Sequence, residues 1–161
     1  MVRGPRKTNQ VAARNEAPRF RIRQRKLIRF AEAILKALGY QNTFLSIVFV
    51  SNSSIRHLNQ KYLSHSWVTD VLAFPFGNSN GAQHQASKRF FLGEIVISPA
   101  QARVNARRFG TSYSEELARY ICHGLLHLKG HSDHSVRLRN RMRRMEERLV
   151  RSLGTRMKGV I

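Results

Sequence analysis

Residues 112–130 constrain this chain more than any other segment. They open with Ser112, Tyr113, Ser114 and Glu115, a Ser-x-x-Glu pattern in which two side chains satisfy each other's free backbone donors and fix a helix start. Gly130 supplies the stop. Between them Leu117, Ile121, Gly124 and Leu128 form one stripe, and Leu125 and Leu126 carry the apolar surface round to the other side. A helix apolar on most faces must be covered by other elements, so it is predicted to lie at the centre of the fold.

The covering elements are legible in the flanking sequence. Phe20 and Ile22 alternate within residues 19–23, predicting a short strand, and Leu27, Phe30, Ala31, Ile34 and Leu38 then follow a helical period closed by Gly39. Residues 43–51 are dense in β-branched and aromatic side chains, the pattern of a buried strand. Asn52, Ser53 and Ser54 form a capping cluster for a helix carrying Ile55, Leu58 and Tyr62. Residues 68–76 and 90–98 read as two more strands around a Gly/Asn/Ser/Gln loop at 77–88, and Pro99 suits the first turn of the helix that follows. A last helix places Leu138, Met142, Met145, Leu149 and Leu153 on one face, opposite many arginines, and ends near Gly154. The expectation is one α/β (α+β) domain: a small mixed sheet of about four strands packed with about five helices.

A length of 161 residues suits a single core. Residues 1–18 lack large apolar side chains and are read as a flexible basic arm, in which Arg3, Arg6, Lys7 and Arg14 offer charge to phosphates. The folded domain is placed at 19–154 and a C-terminal tail at 155–161. The formal net charge is +20, from 29 Lys and Arg against 9 Asp and Glu, a surplus that favours a polyanionic partner such as nucleic acid over a membrane surface. No apolar run reaches the ~20 residues that span a bilayer, and the single cysteine, Cys122, excludes an internal disulfide, so a cytoplasmic protein without membrane contact is expected.

His123 and His127 stand one turn apart on the central helix, where their ring nitrogens can converge on one ion. Gly130 lets the chain turn back and bring His131, Asp133 or His134 as a further ligand, His131 being read as a wall of the pocket. Zinc suits two imidazoles plus a carboxylate or third imidazole, with a fourth position left for water. Zinc proteases of this spacing carry Glu after the first His; here that position is Gly124, so an anionic phosphodiester is the better-matched substrate. Cys122 points about 100° away around the helix and reads as core. Glu116 shares the histidine face and is a candidate hydrogen-bond acceptor behind the histidines or general base, with a plain exposed glutamate the favoured reading. Arg137, Arg139, Arg141, Arg143 and Arg144 on the last helix are candidates for phosphate contacts.

These residues resemble the YbeY family of rRNA maturation endoribonucleases. The family's motif is similar to His-Gly-x-Leu-His-Leu-x-Gly, which residues 123–130 match position for position. Upstream, Leu58-Asn59, Tyr62 and Thr69-Asp70-Val71-Leu72-Ala73-Phe74-Pro75 resemble its Leu-Asn…Tyr…Thr-Asp-Val-Leu-Ser-Phe-Pro block, and Leu92-Gly93-Glu94-Ile95-Val96-Ile97-Ser98 its Gly-Asp-Ile-x-Ile-Ser strand. The resemblance implies one Zn2+ per chain, with another divalent ion as the substitute. It also implies single-strand-specific endoribonuclease activity in small-subunit rRNA 3′ end maturation and ribosome quality control, the small ribosomal subunit as partner, and catalytic roles for Arg56 and His123. Two departures matter. The family's third histidine falls at Asp133, with His134 one later, so Asp133 is favoured as the ligand; Glu94 replaces an Asp and is a candidate for orienting a histidine. His123, His127 and Asp133 are thus expected to hold the metal and Arg137, Arg141 and Arg144 the RNA, in a chain taken as a monomer. The rival reading is a non-catalytic ribosome-associated RNA-binding factor with a structural metal; a metalloprotease is disfavoured by Gly124.

Overall fold

Alternation along the strands decides the layering. In β2 (Thr43–Phe49), Leu45, Ile47 and Phe49 face one side and Val48 the other; in β4 (Phe90–Ile97), Ile95 and Ile97 face the first side and Val96 the second. Both sides of these strands are therefore apolar and both are covered. The structure, a computed structural model, describes residues 8–76 and 89–160. Its strands form one mixed sheet in the order β1-β2-β4-β3, with β1 (Gln10–Asn15), β2 and β4 parallel and β3 (Val71–Pro75) antiparallel to β4.

The first face receives α1 (Gln24–Ala37), through Leu27, Phe30, Ile34 and Leu35, and α4 (Tyr113–Leu128), through Leu117, Ile121, Leu125 and Leu128. The second face packs Val48, Val50, Leu72 and Val96 around Ile55 of α2 (Asn52–Leu63). Ser51, one residue before the predicted capping cluster, caps α2 by accepting from the Ser54 N–H. α3 (Pro99–Phe109) begins with Pro99 behind its cap Ser98, and α5 (Val136–Leu153) is capped by Ser135. The predicted reciprocal cap of α4 is formed: Glu115 N–H donates to Ser112 Oγ, and Ser112 N–H to Glu115 Oε2. The predicted fold class is observed, with four strands and five α-helices among the described residues.

Three expectations at the chain's ends are corrected. Gln10–Asn15, placed in a flexible arm, forms the edge strand β1. An edge strand beside a built neighbour needs backbone pairing more than apolar side chains, and only Val11 is buried in it. Asn9 fixes its start, donating to the Tyr40 carbonyl and accepting from Thr43 N–H. Arg14, assigned to phosphate contacts, pairs with Glu16 at 2.8 Å; Arg3, Arg6 and Lys7 lie outside the described residues, as does the 77–88 loop. Residues 19–23 are not a strand: Asn15 nucleates a turn by accepting from Ala17 N–H and donating to the Phe20 carbonyl, and Arg23 N–H goes to Val160. Residues 155–160 are not a loose tail either, because Met157 and Val160 are buried in the main core behind a 3-10 turn at Gly154–Met157.

Candidate metal centre

Helix α4 lies against the sheet because Gly124 removes the side chain at the contact: a Cβ there would stand 2.8 Å from Ile95 Cγ2. Position 124 therefore faces the sheet, and a protease-type glutamate would have no access to the histidines. The opposite edge of α4 is left to His123 and His127, whose side chains are each 30% exposed.

Each imidazole is oriented through Nδ1. That of His123 is 3.0 Å from Glu146 Oε2, and that of His127 is 3.0 Å from the carbonyl oxygen of His131, which the turn at Gly130 brings back over the helix end. Both partners are acceptors, so each Nδ1 carries the hydrogen and each Nε2 keeps its lone pair. The two Nε2 atoms stand 3.0 Å apart. Lone pairs aimed at each other at that distance repel, and a cation between them removes the repulsion. Two nitrogens each about 2.0–2.1 Å from one tetrahedral ion are separated by about 3.3–3.4 Å, a few tenths of an ångström from what is found. Asp133 completes the set, with Oδ2 3.8 Å from His127 Nε2 and all three ligand atoms within 4.8 Å of one another. The donor set and its spacing fit a divalent metal.

The electrostatics separate the two rings. Burial disfavours charge on His123, but the Glu146 hydrogen bond and charge, with Asp70 and Asp133, outweigh it and raise its pKa above the ordinary imidazole value. For His127 burial and the neighbouring His123 prevail and lower it.

Beside the cluster opens a cavity of about 540 Å³ lined by His123, Asp133, Glu116, Arg119, Arg139, Arg143 and Glu146 among others. Glu146 is 6% exposed and also accepts from Arg119 Nη1 at 3.1 Å; Glu116 is 2% exposed, accepts from Thr111 Oγ1 and lies 3.8 Å from Arg119 Nε. Glu116 is thus not the exposed glutamate expected, because Thr111 and Arg119 hold its carboxylate beside the cavity. Of the candidates, the structure joins His123, His127 and Asp133, while His134 is exposed and outside the cluster and His131 contributes its carbonyl. Cys122 is buried, its thiol pKa pushed well up by burial, as a core residue's would be. Glu94 accepts from Ser46 across the sheet, so it does not orient a histidine. Asp70 holds the start of β3 by accepting from Val71 N–H. Arg56 stands exposed on α2 with Nε donating to the Ser66 carbonyl and does not line the cavity. Arg137, Arg141 and Arg144 are exposed on α5, but Arg139 and Arg143 are the α5 arginines lining the cavity.

The residues missed from sequence are Glu146 and Arg119. Glu146 had a signal: it sits four residues after Met142 and three before Leu149, on the apolar stripe where a charge has no business without a buried partner.

Fold and site together define a small mixed-sheet α/β protein with a candidate metal centre on its central helix. The family profile described as Endoribonuclease YbeY matches residues 11–154, and the chain belongs to that family. It is 40% identical over 114 residues to the Endoribonuclease YbeY of Aquifex aeolicus, covering 71% of each chain, and 37% identical over 140 residues to that of Anaeromyxobacter sp., covering 87% of this chain and 70% of the relative. A solution structure of a Thermotoga maritima protein shares the fold with a TM-score of 0.54 at 24% identity, over 88% of this chain and 90% of that one. Among the described residues no helix is long and apolar enough to cross a membrane.

Proposed function

We propose that this chain is a zinc-dependent endoribonuclease that cuts single-stranded RNA, acting on small-subunit rRNA at its 3′ end and in ribosome quality control. The observation that carries the metal-dependent reading is the convergence of His123, His127 and Asp133 at the mouth of an arginine-lined cavity. The family's name supports RNA cleavage, and the resemblance of the motifs supports the ribosomal substrate.

His123, His127 and Asp133 hold the ion, with Glu146 and the His131 carbonyl fixing the two rings. A divalent cation bound there would supply Lewis acidity toward a phosphoryl oxygen and would lower the pKa of water. Arg119, Arg139 and Arg143 present positive charge where an anionic phosphodiester would enter, and Arg56, Arg137, Arg141 and Arg144 hold the strand outside the cavity. The non-catalytic rival, a structural metal, requires closure by a fourth protein ligand. Among the described residues the cluster has three, and His134 is not with them.

The test is metal content together with cleavage of single-stranded rRNA fragments, for the native chain and for His127→Ala. The expected result is loss of both in the variant. Cleavage retained without metal, or tight RNA binding with no cleavage by the metal-loaded native chain, refutes the proposal.

A further inference from the structure

The connection between α2 and β3 carries an exposed aromatic stack that the metal centre does not use. The rings of His65 and Trp67 are 4.2 Å apart between centroids and within 18° of parallel, and Trp67 remains 59% exposed. One face of the indole is taken by His65 and the rest of the ring is open to a stacking ligand.

The backbone that carries the stack is pinned by hydrogen bonds. Buried Asn59 donates to the Trp67 carbonyl at 3.0 Å, Arg56 Nε donates to the Ser66 carbonyl at 2.6 Å, and His65 N–H returns to the Asn59 carbonyl. Ser64, in the left-handed conformation, turns the chain out of α2 into this loop. The platform is therefore in place before a ligand arrives, which limits the ordering cost of binding.

Its charge says what the ligand is. Between Ser51 and Thr69 there is no acidic residue, while Arg56 and Lys61 are cationic, with Lys61 lying over the exposed Tyr62 ring at 5.2 Å. Aromatic faces among fixed cations are the means by which proteins hold unpaired nucleotides: the base stacks and the phosphate meets a guanidinium. A duplex, whose bases are already stacked, offers nothing to such a face.

Position ties the platform to the metal centre. Trp67 stands four residues before the start of β3, and β3 packs against α4, the helix that carries His123 and His127. We propose that the His65–Trp67 stack is a docking platform for one base of a single-stranded RNA, with Arg56 beside it for the adjoining phosphate. This rests on the nuclease reading above and names how unpaired RNA would be selected.

Trp67 is the chain's single tryptophan, so its emission reports the platform directly. The full metal-loaded chain is mixed with a labelled single-stranded oligoribonucleotide, with the same sequence as a duplex, and with inorganic polyphosphate. Emission is read before turnover, and binding is followed independently by anisotropy of the label. Quenching by the single strand alone is expected. Trp67→Ala should weaken single-strand binding by roughly 5-fold or more while duplex and polyphosphate binding change little, and Trp67→Phe should recover most of the loss. An unchanged metal content shows that each variant is folded. Single-strand binding that leaves Trp67 emission unmoved and is equally tight in Trp67→Ala overturns the platform and leaves that surface to a protein partner. Failure of the nuclease reading would show separately, as absent cleavage by the native chain with quenching intact.

Discussion

Glu146→Gln isolates the contribution of the carboxylate that steers His123. In the native site the two oxygens serve different donors: Oε2 takes the His123 Nδ1–H at 3.0 Å and Oε1 takes Arg119 Nη1 at 3.1 Å. A glutamine of the same shape has one acceptor and one NH2, so either the imidazole or the guanidinium must face a donor. Because residue 146 is 6% exposed, water cannot easily repair the mismatch. If Arg119 takes the single oxygen, the His123 ring loses its orientation and its tautomer preference. Changes to such outer partners cost about 10–100-fold in metal affinity, or about 1.4–2.7 kcal/mol. Competition against a chromophoric zinc chelator measures this directly, with cooperative urea unfolding as the check on folding. An affinity within twofold of the native value in a folded variant would refute the argument that Glu146 positions the ligand.

Asp133→Asn should lower zinc affinity at least tenfold, whereas His134→Ala should stay within about twofold, both read by the same competition. Gly93→Ala should destabilise by about 3 kcal/mol or more in urea unfolding, because φ is +152° and the added Cβ would collide with the Phe74 carbonyl oxygen and come within 2.9 Å of Leu128 Cδ2. Ser112→Ala should cost about 1 kcal/mol through the lost cap of α4. The Glu115 carboxyl is held below the ordinary glutamate range, first by the Ser112 N–H; its contribution is full above the ordinary pKa and is lost as pH falls through the lowered folded value. Glu115→Gln should therefore flatten acid unfolding in that window.

Local pattern carried the interior of this protein into view. The capped, nearly all-apolar helix, the two-sided strands around Ile47 and Ile95, and the His123/His127 pair are statements about neighbours in sequence, and periodicity plus capping suffice to read them. Gly130 made Asp133 one of three candidate ligands beside His131 and His134, and the resemblance to the family motif favoured it among them. The chain's ends were misread for a physical reason: β1 owes its existence to hydrogen bonds offered by β2, and Met157 and Val160 to a pocket beside α1, neither of which local composition encodes. The Glu146–His123 bond joins residues 23 apart on different helices, and the separation of cavity-lining Arg139 and Arg143 from Arg137, Arg141 and Arg144 depends on how α5 is rotated against α4. The amino-acid order determined which helices and strands exist and which side chains can ligate. Only the packing of α5 over α4 decided which carboxylate steers a ligand and which arginines meet the substrate, because those contacts depend on the angle between two surfaces.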